Sequence, residues 1–178
     1  MVAQRLFFAL WPDKKTCRAF EMVQNAYSGK GRAVKSANLH LTLLFLGSVD
    51  TQHFDDVITL GNGVCTPGFA LSFDHLGYWK KPQVVWAGVS QTPEELSGLV
   101  SQLRQSWKAL GFTAEQRAYV PHLTLFRKVI KRPQLMKIEM IPWYMNDFVL
   151  VKSVLSQTGA QYEILQRWPL GEVETDNK

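Results

Sequence analysis

The chain has 178 residues, of which 46% are hydrophobic, 12% aromatic and 20% charged. That balance excludes a disordered or collagen-like chain and leaves enough apolar surface for a buried core. A formal net charge of +5 and a pI of about 9.3 suit an anionic partner such as nucleic acid. No apolar run is long enough to cross a bilayer. The opening MVAQRLFFALWPDKK is too short for a secretory leader and runs directly into proline and charge, so a cytoplasmic protein is expected. Cys17 and Cys65 form no Cys-x-x-Cys pair and are expected to be unlinked thiols that act as small packing residues.

Residues 4–10 (QRLFFAL) are an apolar, aromatic run expected to be a buried strand, broken by Trp11-Pro12-Asp13. Phe20, Met22, Val23 and Tyr27 recur at helical spacing, which predicts an amphipathic helix over 13–27 ended by Ser28-Gly29-Lys30-Gly31. Residues 39–46 (LHLTLLFL) read as a strand closed by Gly47. A helix over 51–60 follows, with an irregular end at Gly61-Asn62-Gly63. The period then changes. FALSFDHLGYW (69–79) alternates, and QVVWAGV (83–89) follows a Lys-Lys-Pro turn, which predicts an antiparallel hairpin. Thr92 as N-cap and Pro93 at the first helical position open a long helix carrying Leu96, Leu99, Leu103 and Trp107, stopped by Gly111. HLTLFR (122–127) is again a strand. Residues 147–156 and 161–168 read as a closing hairpin around Thr158-Gly159, and the polar tail GEVETDNK is expected to fray.

One order thus occurs twice: strand, helix and HLTL strand, then hairpin, long helix, HLTL strand and hairpin. His40 and His122 open the two tetrapeptides 82 residues apart, too far for a solenoid repeat. The expected fold class is α+β. Two pseudo-symmetric lobes, each with an antiparallel sheet and flanking helices, would face a central groove. With no Gly/Ser/Pro linker between them, residues 1–178 are expected to be a single bilobal domain.

The repeated tetrapeptide carries the chemistry. Alternate side chains of a strand share a face, so His40 and Thr42 point one way while Leu41 and Leu43 enter the core. His122 and Thr124 stand in the same relation to Leu123 and Leu125. Two hydroxyls can donate to the non-bridging oxygens of a phosphate. Two imidazoles titrate near neutrality, so one can be neutral while the other is protonated. In-line attack on a cyclic phosphodiester needs such a base for water and such an acid for the leaving sugar oxygen. A zinc centre would need a third protein ligand, and no His-x-His, His-Glu-x-x-His or Asp-rich cluster supplies one. No metal or other cofactor is therefore expected. His53, beside Asp55 and Asp56, reads as solvated surface, and His75 as a structural or rim residue.

The chain resembles the two-histidine phosphoesterases, and within them the bacterial RNA 2′,3′-cyclic phosphodiesterases, also called 2′-5′ RNA ligases. HLTL at 40–43 and HLTL at 122–125 carry the resemblance, together with RLFFAL (5–10), NLHLTLLFLG (38–47), VVWAG (84–88) and PHLTLFR (121–127). The resemblance implies metal-independent hydrolysis of RNA 2′,3′-cyclic phosphate ends to 2′-phosphates, with reversible ATP-independent 2′-5′ ligation. It implies His40 as proton donor and His122 as proton acceptor, although the residues alone leave the two roles exchangeable. It implies substrate binding by Thr42, Thr124, Arg127 and an aromatic, Phe45, that stacks on the base. Strict alternation puts Arg127, five residues after His122, on the wrong face, and Phe45 stands in the same relation to His40. A bulge or a strand end is needed to bring either to the phosphate. The implied partner is RNA with a 2′,3′-cyclic end, such as a tRNA fragment, or a small cyclic nucleotide. A DNA end lacks the 2′-hydroxyl such a phosphate requires. No membrane partner is expected, and the default state is a monomer. A non-catalytic RNA-end binder and a cyclic phosphodiesterase acting on a small nucleotide are the alternatives.

Overall fold

The computed structural model describes residues 3–27, 29, 31–156 and 159–171. The first strand, β1 (Ala3–Leu10), buries its last five residues. Helix α1 (Lys14–Ala26) starts where the Asp13 carboxylate accepts the Thr16 N–H at 2.7 Å. That hydrogen bond also holds the Asp13 carboxyl below its ordinary pKa. After the short β2 (Arg32–Ala33) come β3 (Leu41–Asp50) and α2 (Phe54–Asn62). Next are β4 (Phe69–Phe73), β5 (His75–Trp79), β6 (Val84–Gly88) and α3 (Glu94–Ala109). The chain closes through β7 (His122–Arg127), β8 (Ile141–Met145), β9 (Asp147–Ser156) and β10 (Gly159–Pro169).

Among the described residues the ten strands pair antiparallel throughout, and one isolated parallel bridge joins Pro67 to Gly171. One sheet runs β10-β9-β1-β3-β7-β6-β5, with β2 beside β7, and β4 pairs with β8 in a second sheet. This is a mixed helix-and-sheet chain of antiparallel sheets with few helices. At the middle of the large sheet, β3 meets β7 through the pair Leu41↔Leu123, the second residue of each tetrapeptide. Helix α1 packs on β7 and β8, while α3 packs on β3 and α2. The helices therefore cross between the halves of the sheet. The main core includes Phe8, Phe20, Leu41, Leu43, Leu103, Trp107, Leu123 and Leu125. Among the described residues no helix is long and apolar enough to cross a membrane.

Several expectations need correction. Gly47 does not close its strand: β3 continues to Asp50, and Gly47 takes φ +78° where a register shift falls opposite Leu6 and Phe7. A left-handed residue inside a bulge is the place for glycine. His40 precedes β3 rather than lying within it. The alternating run 69–79 is two strands in two sheets, divided at Asp74. Alternation fixes which face is buried but not which partner a strand takes. Only β5 hairpins with β6, while β4 pairs with β8, a strand the sequence did not announce. Pro93 rather than Thr92 is the N-cap of α3, with no side-chain capping bond, and the helix begins at Glu94. Residues 51–53 form a 3₁₀ turn, and α2 runs on through Gly61 to Asn62. Cys17 packs against the core as expected, but Cys65 is exposed, and neither is in a disulfide. The polar tail beyond Gly171, Thr158, Ser28 and Lys30 lie outside the described residues.

Candidate active site

The two HLTL strands bulge at the same place. In β3, Phe8 pairs with Leu44 and Ala9 with Thr42, so Leu43 is the extra residue. In β7, Val85 pairs with Phe126 and Trp86 with Thr124, so Leu125 is the extra residue. The burial patterns agree: Leu43 and Leu44 are both buried before exposed Phe45, and Leu125 and Phe126 are both buried before exposed Arg127. One inserted residue reverses the parity of everything after it. Phe45 and Arg127 thereby return to the face of Thr42 and Thr124, which resolves the conflict with simple alternation.

His40, Thr42, Phe45, Thr124 and Arg127 line one groove of about 830 Å³. His122 is not in its lining but stands two residues before Thr124, close enough that its charge disfavours protonation of His40. Arg5, Arg32, Lys35, Arg127 and Lys128 all line the groove, and among the described residues no carboxylate does. An anion placed there meets cations from three segments of the chain.

Both imidazoles are fixed in the same way. His40 Nδ1 donates to the Asn38 carbonyl at 2.7 Å, and His122 Nδ1 donates to the Val120 carbonyl at 2.8 Å. A carbonyl only accepts, so each Nδ1 carries the proton and each Nε2 is left for proton exchange. Burial, helped by the Arg127 and His122 charges, pushes the His40 pKa down to about 4, against the opposing pull of the Asn38 carbonyl. Burial and then Arg127 lower the pKa of His122 as well, against Val120 and Glu115. Both rings are therefore biased to neutrality, chiefly by burial and secondarily by Arg127.

Aromatic residues enclose His40. Trp11 is stacked parallel to it at 5.4 Å, Tyr162 stands edge-on at 5.0 Å, and Phe7 lies at 5.1 Å. Trp79 meets the His122 ring edge-on at 4.5 Å. Arg5 sits over the Phe45 ring at 4.6 Å. The Tyr119 hydroxyl donates to the Thr42 carbonyl at 2.9 Å, which ties the approach to β7 to the first tetrapeptide. Gln24 of α1 donates from Nε2 to the carbonyls of Val34 and Leu125, both at 2.9 Å, and so braces the β7 bulge beside Arg127. Apart from Phe45, none of these side chains stood out in the sequence as part of the site. Trp11, at the end of the first strand, carried a local signal. Tyr162, Tyr119 and Gln24 carried none, because only tertiary packing brings them near.

His53 and His75 lie outside the groove. His53 bonds Asp56 at 2.9 Å on the surface, and His75 bonds Asp74 at 2.6 Å. Among the described residues no group of three or more His, Cys, Asp or Glu side chains converges as metal ligands would.

Two His-x-Thr strands meeting at the centre of one antiparallel sheet place the chain among the two-histidine phosphoesterases. The family described as the 2′-5′ RNA ligase superfamily matches residues 9–155, and the chain belongs to that family. The chain is 33% identical over 141 residues to the Escherichia coli protein named RNA 2′,3′-cyclic phosphodiesterase, covering 79% of this chain and 80% of that one. The crystal structure of E. coli LigT in apo form matches with a TM-score of 0.89 and 30% identity, covering 97% of this chain and 100% of LigT. LigT complexed with 3′-AMP matches with a TM-score of 0.89 and 30% identity over 95% of this chain and 99% of LigT.

Proposed function

We propose that the chain is an enzyme that hydrolyses RNA 2′,3′-cyclic phosphate ends to 2′-phosphates in the basic groove, without a metal or other cofactor. The observation that carries this is the pair of imidazoles, each with Nδ1 tied to a backbone carbonyl two residues back, beside a groove lined by two threonines and five cations. Thr42, Thr124 and Arg127 hold the phosphoryl oxygens, and Phe45 stacks on the terminal base. Water attacks phosphorus in line with the P–O3′ bond. His122 takes the proton of the water, the P–O3′ bond breaks, and His40 gives its proton to O3′. The bound phosphate anion and the parallel Trp11 ring both favour the protonated form of His40 that this step consumes. The same site run with a 5′-hydroxyl in place of water forms a 2′-5′ linkage without ATP.

Residues 1–178 act as one domain with two pseudo-symmetric lobes. The Leu41↔Leu123 pair, the matching bulges at Leu43 and Leu125 and the crossed packing of α1 and α3 support that reading. The protein works in the cytoplasm as a monomer on RNA ends, tRNA fragments or small cyclic nucleotides.

The test is to incubate the protein with a short RNA bearing a 2′,3′-cyclic phosphate, without metal, and to identify the product. A 2′-phosphate is expected, and His40→Ala and His122→Ala should each lower kcat/KM by about 10³-fold or more. A 3′-phosphate product, or near-full activity in either variant, would overturn the mechanism.

A further inference from the structure

Three pairs of adjacent cations, Lys80-Lys81, Arg127-Lys128 and Lys131-Arg132, are scattered along the sequence. The fold gathers them at one end of the large sheet. β7 ends at Arg127, and β2 sets Arg32 directly opposite that residue. On the other flank of β7, Val85 of β6 pairs with Phe126, so the β5–β6 turn that carries Lys80 and Lys81 lies at the same end. Two hydrogen bonds tie that turn to the chain leaving β7. The Val129 N–H donates to the Gln83 carbonyl at 3.0 Å, and the Tyr78 hydroxyl donates to the Val129 carbonyl at 2.8 Å. Gln83 and Lys128 take left-handed φ values of +65° and +59°. Residues other than glycine seldom hold that conformation unless their surroundings impose it, so the turn and the exit from β7 form a braced unit. Val129 is buried beneath this unit, while Lys80, Lys81, Lys128, Lys131 and Arg132 are exposed upon it.

This basic rim borders the groove directly, since Arg32, Pro82, Gln83 and Lys128 line the groove as well. The wall formed by β9 and β10 is different. There Lys152 pairs with Glu163 at 3.5 Å and Arg167 with Asp147 at 2.6 Å. Among the described residues no carboxylate pairs with Lys80, Lys81, Lys128, Lys131 or Arg132. Uncompensated positive charge therefore leaves the groove on one side only. Strands β2, β7, β6 and β5 follow one another there, and three strand spacings amount to about 14 Å. At roughly 3.4 Å of rise per nucleotide, that is the length of about four nucleotides.

We propose that this rim is the track for the body of the RNA. The nucleotides on the 5′ side of the cyclic end leave the groove over the β5–β6 turn, and Lys80, Lys81, Lys131 and Arg132 hold their phosphates. The proposal rests on the phosphodiesterase reading above and narrows its substrate to an RNA strand of several nucleotides rather than a cyclic mononucleotide. Lysine and arginine at exposed positions contact the backbone without reading the bases, so the track is indifferent to sequence. Its effect is on the capture of the strand and not on the chemical step, because none of the four side chains lines the groove.

The experiment compares kcat/KM for adenosine 2′,3′-cyclic phosphate and for an RNA oligonucleotide of about twelve residues with the same cyclic end, several times the roughly 3.4 Å-per-nucleotide span of the rim. The double variants are Lys80→Glu with Lys81→Glu, and Lys131→Glu with Arg132→Glu. Lys108→Glu, at an exposed position near the end of α3, controls for net charge. Each double variant should lower the oligonucleotide value at least about tenfold at low salt and flatten its log–log salt dependence by about 1.4, at roughly 0.7 per lost phosphate contact. The mononucleotide value should change less than about twofold, and it reports that the fold and the groove are intact. If a glutamate variant loses the mononucleotide activity, the glutamine variants at the same positions replace it, with the same ratio expected. Binding of the oligonucleotide, followed by fluorescence anisotropy, should weaken in parallel. An unchanged ratio of the two substrates, an equal loss on both in the glutamine variants, or the same selective loss in Lys108→Glu would overturn the track. A wild type that binds the oligonucleotide through the rim but hydrolyses neither substrate would instead remove the phosphodiesterase reading and leave the track standing.

Discussion

At the scale of single residues, the two histidines are alike in attachment and unlike in surroundings. Each holds its Nδ1 proton on a backbone carbonyl. His40 lies among three aromatic rings and carries a pKa of about 4, while the pKa of His122 is lowered by burial and by Arg127. The proposed mechanism needs one neutral and one protonated ring. Both free-enzyme values lie below 6.5, so the singly protonated pair is most populated below that pH and is lost as pH rises. The kcat/KM profile should therefore peak below pH 6.5 and fall about tenfold per unit on its alkaline side. Bound phosphate raises both values, so kcat should persist to higher pH than kcat/KM. A kcat/KM optimum above pH 7 would contradict this electrostatic picture.

At the scale of elements, the bulges decide which side chains reach the groove. Gln24 supports the β7 bulge with two hydrogen bonds, to Val34 and Leu125, and the Val34 N–H donates to the same Leu125 carbonyl at 2.8 Å. Gln24→Leu removes two hydrogen bonds, each worth about 1 kcal/mol. It should loosen Arg127 and lower kcat/KM by about 10- to 100-fold, since small misplacements are costly in phosphoryl transfer. The loss should appear with an unchanged pH profile, because neither imidazole is touched. If kcat/KM holds while stability falls, Gln24 is a packing residue only. In β3, Gly47 has φ +78° and open space beside its Cα, the nearest atom to an added Cβ being Phe45 Cε1 at 4.0 Å. Gly47→Ala should thus cost about 1–3 kcal/mol from backbone strain alone, readable in urea unfolding. Gly47→Asn should cost less, because Asn tolerates this conformation better. Equal stabilities for wild type and Gly47→Ala would show that the bulge shifts without penalty.

At the scale of the whole molecule, the groove is a basic surface built from distant parts of the chain. Arg5 comes from β1, Arg32 from β2, Lys35 from the segment after β2, and Arg127 and Lys128 from β7 and its end. A site of this charge should bind RNA with a strong salt dependence. The kcat/KM for an RNA oligonucleotide should fall more steeply with salt than that for a cyclic mononucleotide, because the longer chain releases more counterions. Treatment with EDTA should leave both rates intact. Loss of activity on chelation, restored by added metal, would require a different mechanism.

The sequence by itself determined which groups the proposed chemistry uses and most of the local structure. The repeated HLTL named the four groups at the centre, and their alternation placed the leucines in the core, as found. The strand at 122–127, the helix after Asp13 and the closing hairpin were likewise legible, because each depends on neighbours in sequence. Only the tertiary structure decided how those groups converge. The bulges at Leu43 and Leu125 are set by cross-strand register and by Gln24, a helix residue 101 positions from Leu125. The division of 69–79 between two sheets depends on β8, which begins 62 residues after the last residue of that run. Tyr162 and Trp79 reach the histidines through sheet order. Periodicity reports which side of a strand is buried. It carries no information about which strand lies alongside, and at this site that pairing sets the face on which Phe45 and Arg127 emerge.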